Sequence, residues 1–352
     1  MFALWMVTFG QFIACKGCQE TKVQDIDTGT VEEFSNNWGK WLDMAQTPDG
    51  QPVIAYYDLT HGALGLATGT LNNSSAAWSH EEIDGYPNEQ GLDQGDRGAY
   101  ASLAVDSAGT TWIAYYDASL QTLRYGMRSS DSTEWTLGVA DSGSGGTPDA
   151  GLFSDMALDA QENPVIAHYD RGRGELRIAH WSDSSFSGEV IDSGEDSEDS
   201  SGTISADTGK FASIAISDGF EYIAYYDVAG GNLMLASGLP GNYNSEIVDA
   251  DGDVGQWTSI VVVNGTVHIA YHDVSNNAVK VASGTPGNWT RAVVDQGKMI
   301  GADTAIVNTT NGLMVAYQDS YNNDLLIATQ SGESWNTQTL GGVDGAGALG
   351  FH

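Results

Sequence analysis

Asp249, Asp251 and Asp253 alternate in the run DADGD, a spacing that turns several carboxylates toward one point. Carboxylates in a glycine-containing loop are ligands for a hard cation, and calcium gathers oxygen donors of this kind in a flexible cage. The run has no distal glutamate, so it is not an EF-hand loop. It is read as a candidate calcium site. A second group of residues could do different chemistry. His168, Arg171 and Arg173 lie within six residues, and His272 stands in a matching phrase 104 residues later. These residues interrupt a pattern that is otherwise repeated, which is where a ligand contact or a catalytic group would be built. No Ser/His/Asp set accompanies them, and carboxylates are too numerous to single out a general acid and base. The chain is therefore read as a binder and not as an enzyme. The alternative is a metal-dependent hydrolase or lyase, in which these four residues would converge in one pocket.

The elements that must position such groups are written six times. IAYYD ends at Asp58, Asp117 and Asp227, IAHYD at Asp170, IAYHD at Asp273 and VAYQD at Asp319. The intervals are 59, 53, 57, 46 and 46 residues, in the range where a fixed period means a repeat architecture. Around each phrase the chain follows one plan. A first strand opens on Gly, with an aromatic two residues later and then a small polar residue, as in Gly98-Ala-Tyr100-Ala-Ser102. The phrase is the second strand. A third begins at Leu123, Leu176, Leu233 or Val279, and a fourth runs from an aromatic to an aspartate: Asp84, Asp141, Asp192, Asp249, Asp295 and Asp344. Four antiparallel strands per unit make the blade of a β-propeller. The expected fold is all-β, a six-bladed β-propeller of four-stranded antiparallel blades over residues 37–352. Blades bury both faces against their neighbours, which explains the unbroken apolar run IAYY.

Strand direction assigns the chemistry to one side. Each second strand ends at its aspartate, and the loops between blades start and finish at the same end. The acidic loops following Asp84, Asp192 and Asp249 thus share an end with the motif aspartates, around one mouth of the channel expected between the blades. The first-strand aromatics Trp41, Tyr100, Phe153, Phe211 and Trp257, replaced by Asp303 in blade six, would line that mouth. Trp41, Tyr100 and Trp257 are candidate ligand contacts, since aromatic rings stack on sugars and apolar groups. The bland reading of the motif aspartates is that each caps the following turn. That of the aromatics is packing between blades.

The repeat region resembles bacterial propeller proteins of the BNR or sialidase-like type. The resemblance rests on the blades and on the tryptophan at the third-to-fourth strand turn, in Ser129-Ser-Asp131-Ser-Thr-Glu-Trp135 and Ser331-Gly-Glu-Ser-Trp335. It implies a six-bladed scaffold. Sialidases of that family grip a carboxylate with three arginines. The seven arginines here are expected at no repeated position, which argues against sialidase activity.

The formal net charge is −34. Such a field repels nucleic acid and anionic membranes and suits cations, basic partners or high salt. The apolar start MFALWMVTFGQFIA reads as a signal segment too short to span a bilayer, and Phe12-Ile13-Ala14-Cys15 resembles a lipobox with Cys15 as the lipidated residue. Residues 1–18 are expected to be this leader and 19–36 an acidic tether. Together these readings predict a secreted or outer-membrane, cell-surface lipoprotein, monomeric, joined to a membrane only through its lipid. Its ligand would be a carbohydrate or a protein, with calcium as a cofactor.

Overall fold

The computed structural model describes residues 38–72, 75–85, 95–143, 149–194 and 207–341. The expected leader, the tether, Cys15, Asp344 and the middles of two acidic loops lie outside the described residues. Twenty-four strands form six four-stranded antiparallel sheets, each a meander in chain order, and no helix occurs among the described residues. Blade 1 holds β1–β4 (Trp38–Gln46, Pro52–Asp58, Ala63–Asn72, Ser75–Asp84). Blade 2 holds β5–β8 (Arg97–Val105, Thr111–Asp117, Thr122–Arg128, Thr136–Asp141). Blade 3 holds β9–β12 (Ala150–Leu158, Pro164–Asp170, Glu175–Ser182, Ser185–Asp192), and blade 4 holds β13–β16 (Thr208–Ser217, Phe220–Asp227, Asn232–Leu239, Asn242–Asp249). Blade 5 holds β17–β20 (Val254–Val263, Thr266–Asp273, Ala278–Thr285, Asn288–Gln296), and blade 6 holds β21–β24 (Ile300–Thr309, Gly312–Asp319, Asp324–Ser331, Ser334–Gly341). The fold class is the six-bladed β-propeller. Blades 1–4 belong to one compact unit, Asn36–Asp251, and blades 5 and 6 to another, Gly252–Phe351.

In the first unit the strands β1, β5, β9 and β13 lie side by side, and in the second β17 lies beside β21. The opening glycine of each first strand makes this approach possible. Gly98 has φ +114°, and a Cβ there would stand 2.7 Å from Leu64 Cα of the preceding blade, so only glycine fits both the conformation and the space. The small polar residue four positions on also has a structural task. Asp43 accepts the N–H of Leu103 (2.7 Å), Ser102 Oγ that of Met156 (3.0 Å) and Asp155 that of Ile214 (2.8 Å). Ser259 Oγ does the same for Ile306 in the second unit (3.0 Å). These four inner strands thus each satisfy a backbone donor of the next, which a buried N–H requires.

Second strands are sandwiched, and every residue of β6 and of β10 is buried. The clusters that hold blades together mix successive blades, as where Leu64 and Leu66 meet Ala101, Leu103 and Ile113. In every blade the register between third and fourth strands slips by one residue beside the leucine or valine in second place on the third strand. A bulge of this kind re-aims the side chains around it. Here it tucks Ala140, Val248 or Val294 inward and leaves the next aspartate facing the following blade. The blade 6 register corrects one expectation: the residue opposite Leu325, where other blades have their aspartate, is Gly341 and not Asp344.

Candidate ligand-binding site

The second strands finish at aspartates whose carboxylates turn back on the chain. Asp58 accepts the N–H of Thr60 (2.8 Å), Asp117 that of Leu120 (2.9 Å), Asp170 that of Gly172 (2.9 Å) and Asp319 that of Tyr321 (3.0 Å). Asp227 and Asp273 cap their turns likewise. The capping reading therefore holds for all six.

The tyrosines of the phrase explain the other repeated acids. The first tyrosine reaches back to the aspartate ending the previous fourth strand: Tyr115 to Asp84 (2.6 Å), Tyr225 to Asp192 (2.5 Å) and Tyr317 to Asp295 (2.6 Å). The second reaches forward to the aspartate before the next blade: Tyr57 to Asp96 (2.6 Å), Tyr116 to Asp149 (2.5 Å) and Tyr169 to Asp207 (2.6 Å). Burial and the neighbouring carboxylate push all six phenols well above their ordinary range, so they stay protonated donors. A hydroxyl inside a blade junction must find such a partner.

At the same end the first-strand aromatics form an arc. Trp41, Tyr100, Phe153 and Phe211 follow one another with centroids 4.8, 4.8 and 4.7 Å apart and planes tilted 37–52°. The rings are shingled, half-buried, with the rest of their surface open to solvent. All four residues are left-handed, with φ of 45–55°, and so are Trp257 and Asp303 in the second unit. That conformation costs a bulky residue roughly 1–3 kcal/mol. It falls where the first strand bulges, between Arg97 and Ser102 in blade 2, and it is kept for aromatic and aspartate alike. Beside the arc sits Arg171, whose side chain is 57% exposed and ion-paired to Asp149 at 2.5 Å. Its charge acts on Tyr100, Tyr116 and Tyr169.

The other residues singled out from the sequence are dispersed. His168 is fully buried, its Nε2 at 3.2 Å from Asp141. Arg177 also holds Asp141 (2.9 Å). Burial alone would raise the Asp141 carboxyl, but His168 and Arg177 outweigh it and hold it well below the usual range. Arg173 is half exposed and 3.6 Å from Glu175. His272 has both ring nitrogens buried, against Gly301, and burial lowers its pKa although Asp273 and Asp253 oppose the shift. Of the candidate calcium ligands, Asp249 is buried, with its Oδ1 taking the N–H of Asp251, while Asp251 is exposed. The N–H of Asp253 donates to Ser275 Oγ (2.8 Å). Among the described residues no three His, Cys, Asp or Glu side chains gather as a metal site.

Two sets of residues escaped the reading of the sequence. Arg124 and Arg177 do stand at one repeated position, the third residue of the third strand, with Lys280 at its counterpart in blade 5. Arg124 meets Asp84 (3.2 Å) and Asp117 (3.8 Å), and Lys280 meets Asp273 (3.1 Å). With Arg97, Arg171, Arg173, Lys40, Lys210 and Lys298, nine of the thirteen cations stand at the motif ends of their blades. The acidity expected there is thus partly neutralised from within. Aligning the third strands is the signal that would have shown the pair. The second set is Asp43 and Asp155, carboxylates at an inner-strand position that holds serine in blades 2, 4 and 5 and Ala305 in blade 6. Both approach Ser102 Oγ (3.1 and 3.4 Å). Burial raises both, with Asp43 adding to the effect on Asp155, which is pushed up to about 6.

No protein-family model matches the chain, and no curated protein does. Solved structures share its fold. The Hadza microbial sialidase Hz136 is 12% identical with a TM-score of 0.55 over 86% of this chain and 66% of that one. The leech intramolecular trans-sialidase is 11% identical, with a TM-score of 0.53 over 89% and 69%. A prolyl endopeptidase is 12% identical, with a TM-score of 0.53 over 89% and 44%. The chain thus spans just under two thirds of the first of these and less than half of the last. At such identities the likeness is one of fold.

Proposed function

We propose that this propeller is a binding protein that recognises a carbohydrate at the motif end of blades 1–4. The observation that carries the proposal is the arc Trp41–Tyr100–Phe153–Phe211. Four half-buried rings follow one another at 4.7–4.8 Å along the motif end, each presented at the bulge of its first strand. Shingled rings offer an apolar floor of the kind on which a sugar stacks. Arg171, oriented by Asp149, stands at its edge as a hydrogen-bond donor. The sialidases of similar fold support a sugar as the ligand, and the prolyl endopeptidase shows that the scaffold alone does not choose it.

Binding is favoured over catalysis because His168 is sealed in a blade junction and Arg171 and Arg173 are engaged by carboxylates of this chain. Export to the cell surface and a calcium ion near the acidic loops belong to the same proposal, supported by the apolar leader and the net charge. A glycan array probed with the full chain, in calcium and again in chelator, tests it. The expected result is binding to a defined glycan, lost at least tenfold in Tyr100→Ala. Silence across the array, or binding indifferent to Tyr100→Ala and Phe153→Ala, would overturn it. Equal binding in chelator would remove calcium from the reading.

A further inference from the structure

The junction between blades 1 and 2 and the one between blades 2 and 3 are built from equivalent positions, and their differences are informative. In the first, Arg97 meets Asp84 (2.7 Å) and Asp117 (2.9 Å), Arg124 meets the same two, and Tyr115 donates to Asp84. Two guanidinium groups and a phenol crowd around two carboxylates, so that Asp117 Oδ2, although it lacks hydrogen-bond geometry, has Arg97 Nε in ion-pair contact at 2.9 Å. In the second, Asp141, Asp170 and Arg177 take the places of Asp84, Asp117 and Arg124. Ala150 stands at the position of Arg97, opposite Asp170 as Arg97 is opposite Asp117, and His168 stands at that of Tyr115. One guanidinium and one phenol are gone.

Three buried atoms are left without a hydrogen-bond partner from the protein: Asp170 Oδ2, His168 Nδ1 and Arg177 Nη1. Their residues are 0%, 0% and 4% exposed. The other Asp170 oxygen is engaged by the N–H groups of Asp149 (3.1 Å) and Gly172 (2.9 Å), and Arg177 Nη1 lies 3.5 Å from Glu175 Oε2, an ion pair without hydrogen-bond geometry. His168 and Asp170 are two apart on β10 and face the same side. Arg177 lies opposite His168 in register, and Glu175 opposite Asp170. The unpartnered atoms therefore belong to neighbouring positions on one face.

Their chemistry selects what completes them. Asp170 Oδ2 needs a donor and Arg177 Nη1 needs an acceptor. With Nε2–H directed at Asp141, His168 Nδ1 also needs a donor. A metal ion or ammonium accepts no hydrogen bond and is repelled by Arg177. An anion donates nothing to Asp170. Water donates twice and accepts once, and buried waters characteristically make about three hydrogen bonds. We infer that the junction of blades 2 and 3 is a built site for one ordered water that bridges Asp170, His168 and Arg177.

A crystal structure of the full chain grown in rubidium chloride tests this. The expected result is a single peak without anomalous signal, at about 2.7–3.2 Å from all three atoms. An anomalous peak would make the site a cation site, and no peak would leave it dry; either overturns the inference. Ala150→Arg supplies an independent readout, because it restores the side chain that fills the preceding junction. The variant is expected to fold with an unchanged or higher melting temperature and to lose the peak. A folded variant that keeps the peak overturns the assignment.

Discussion

The phenol of Tyr115 donates to Asp84 of the preceding blade at 2.6 Å, and the guanidinium of Arg124 shares both partners, lying 3.3 Å from the phenol oxygen and 3.2 Å from the carboxylate. A tyrosine in an apolar phrase thereby becomes a polar tie between blades.

Tyr115→Phe removes that tie without changing the packing of the ring. A hydrogen bond to a buried charged group contributes about 1.5–3 kcal/mol, and Asp84 keeps its arginines and the N–H of Gly85 (3.0 Å). The variant is expected to lose about 2 kcal/mol in urea unfolding. Tyr222→Phe, at a half-exposed position with no such aspartate, is expected to change little. Equal losses in both would contradict the role given to the tie.

Stability should fall as pH rises through the weakly acidic range. Burial raises the Asp155 carboxyl from 3.8 to about 6, so between those values the folded state holds a proton that the unfolded state has released. The stabilisation from this group is complete below about 4 and is lost as pH rises through about 6. A two-unit elevation corresponds to about 3 kcal/mol. Asp43 is raised in the same direction and adds to the slope. His268 and His272 are lowered by burial and oppose it near their ordinary range. Asp155→Asn keeps an acceptor for Ser213 and the Ile214 N–H while removing the charge. It is expected to raise the melting temperature at pH 7.5 and to flatten its dependence between pH 4.5 and 7.5. A parallel shift at every pH would refute the assignment.

Salt should stabilise the fold. A net charge of −34 repels itself over distances that salt screens, whereas the junction ion pairs are mostly buried and are screened less. The melting temperature is expected to rise by several degrees between about 20 mM and 0.5 M sodium chloride. A fall would mean that the ion pairs outweigh the repulsion.

Two glycines with positive φ should behave differently. Gly98→Ala places a Cβ 2.7 Å from the Leu64 backbone, whereas at Gly219, φ +77°, nothing lies within 4 Å. The second substitution is expected to cost about 1 kcal/mol from conformation alone. The first should cost several times that, read as the difference in urea midpoints.

The repeat was legible because its period, its glycines and its tyrosine phrases recur with the packing they serve. The capping of Asp117 and Asp170 was legible for the same reason, since the bonds are local. What was hidden depends on which residues meet across blades. Asp84 and Asp149 look alike in the sequence, yet one accepts from the blade after it by a first tyrosine and the other from the blade before it by a second. His168 and His272 stood out as departures from a pattern, but a departure does not reveal whether a side chain points to solvent or into a junction. His168 points into one. Arg124 and Arg177 were obscured because a charged residue next to Leu123 or Leu176 reads as an exposed strand position. Only the adjacent fourth-strand aspartate makes it interior.

The left-handed residue of the first strand holds its conformation whether it is Trp41, Phe153 or Asp303. Geometry at that point is set by the bulge and by the glycine before it, and the side chain is a passenger. Each blade therefore carries one interchangeable position, two residues after the glycine that opens its first strand. A lineage of such proteins could change what it recognises one blade at a time while the scaffold stayed as it was.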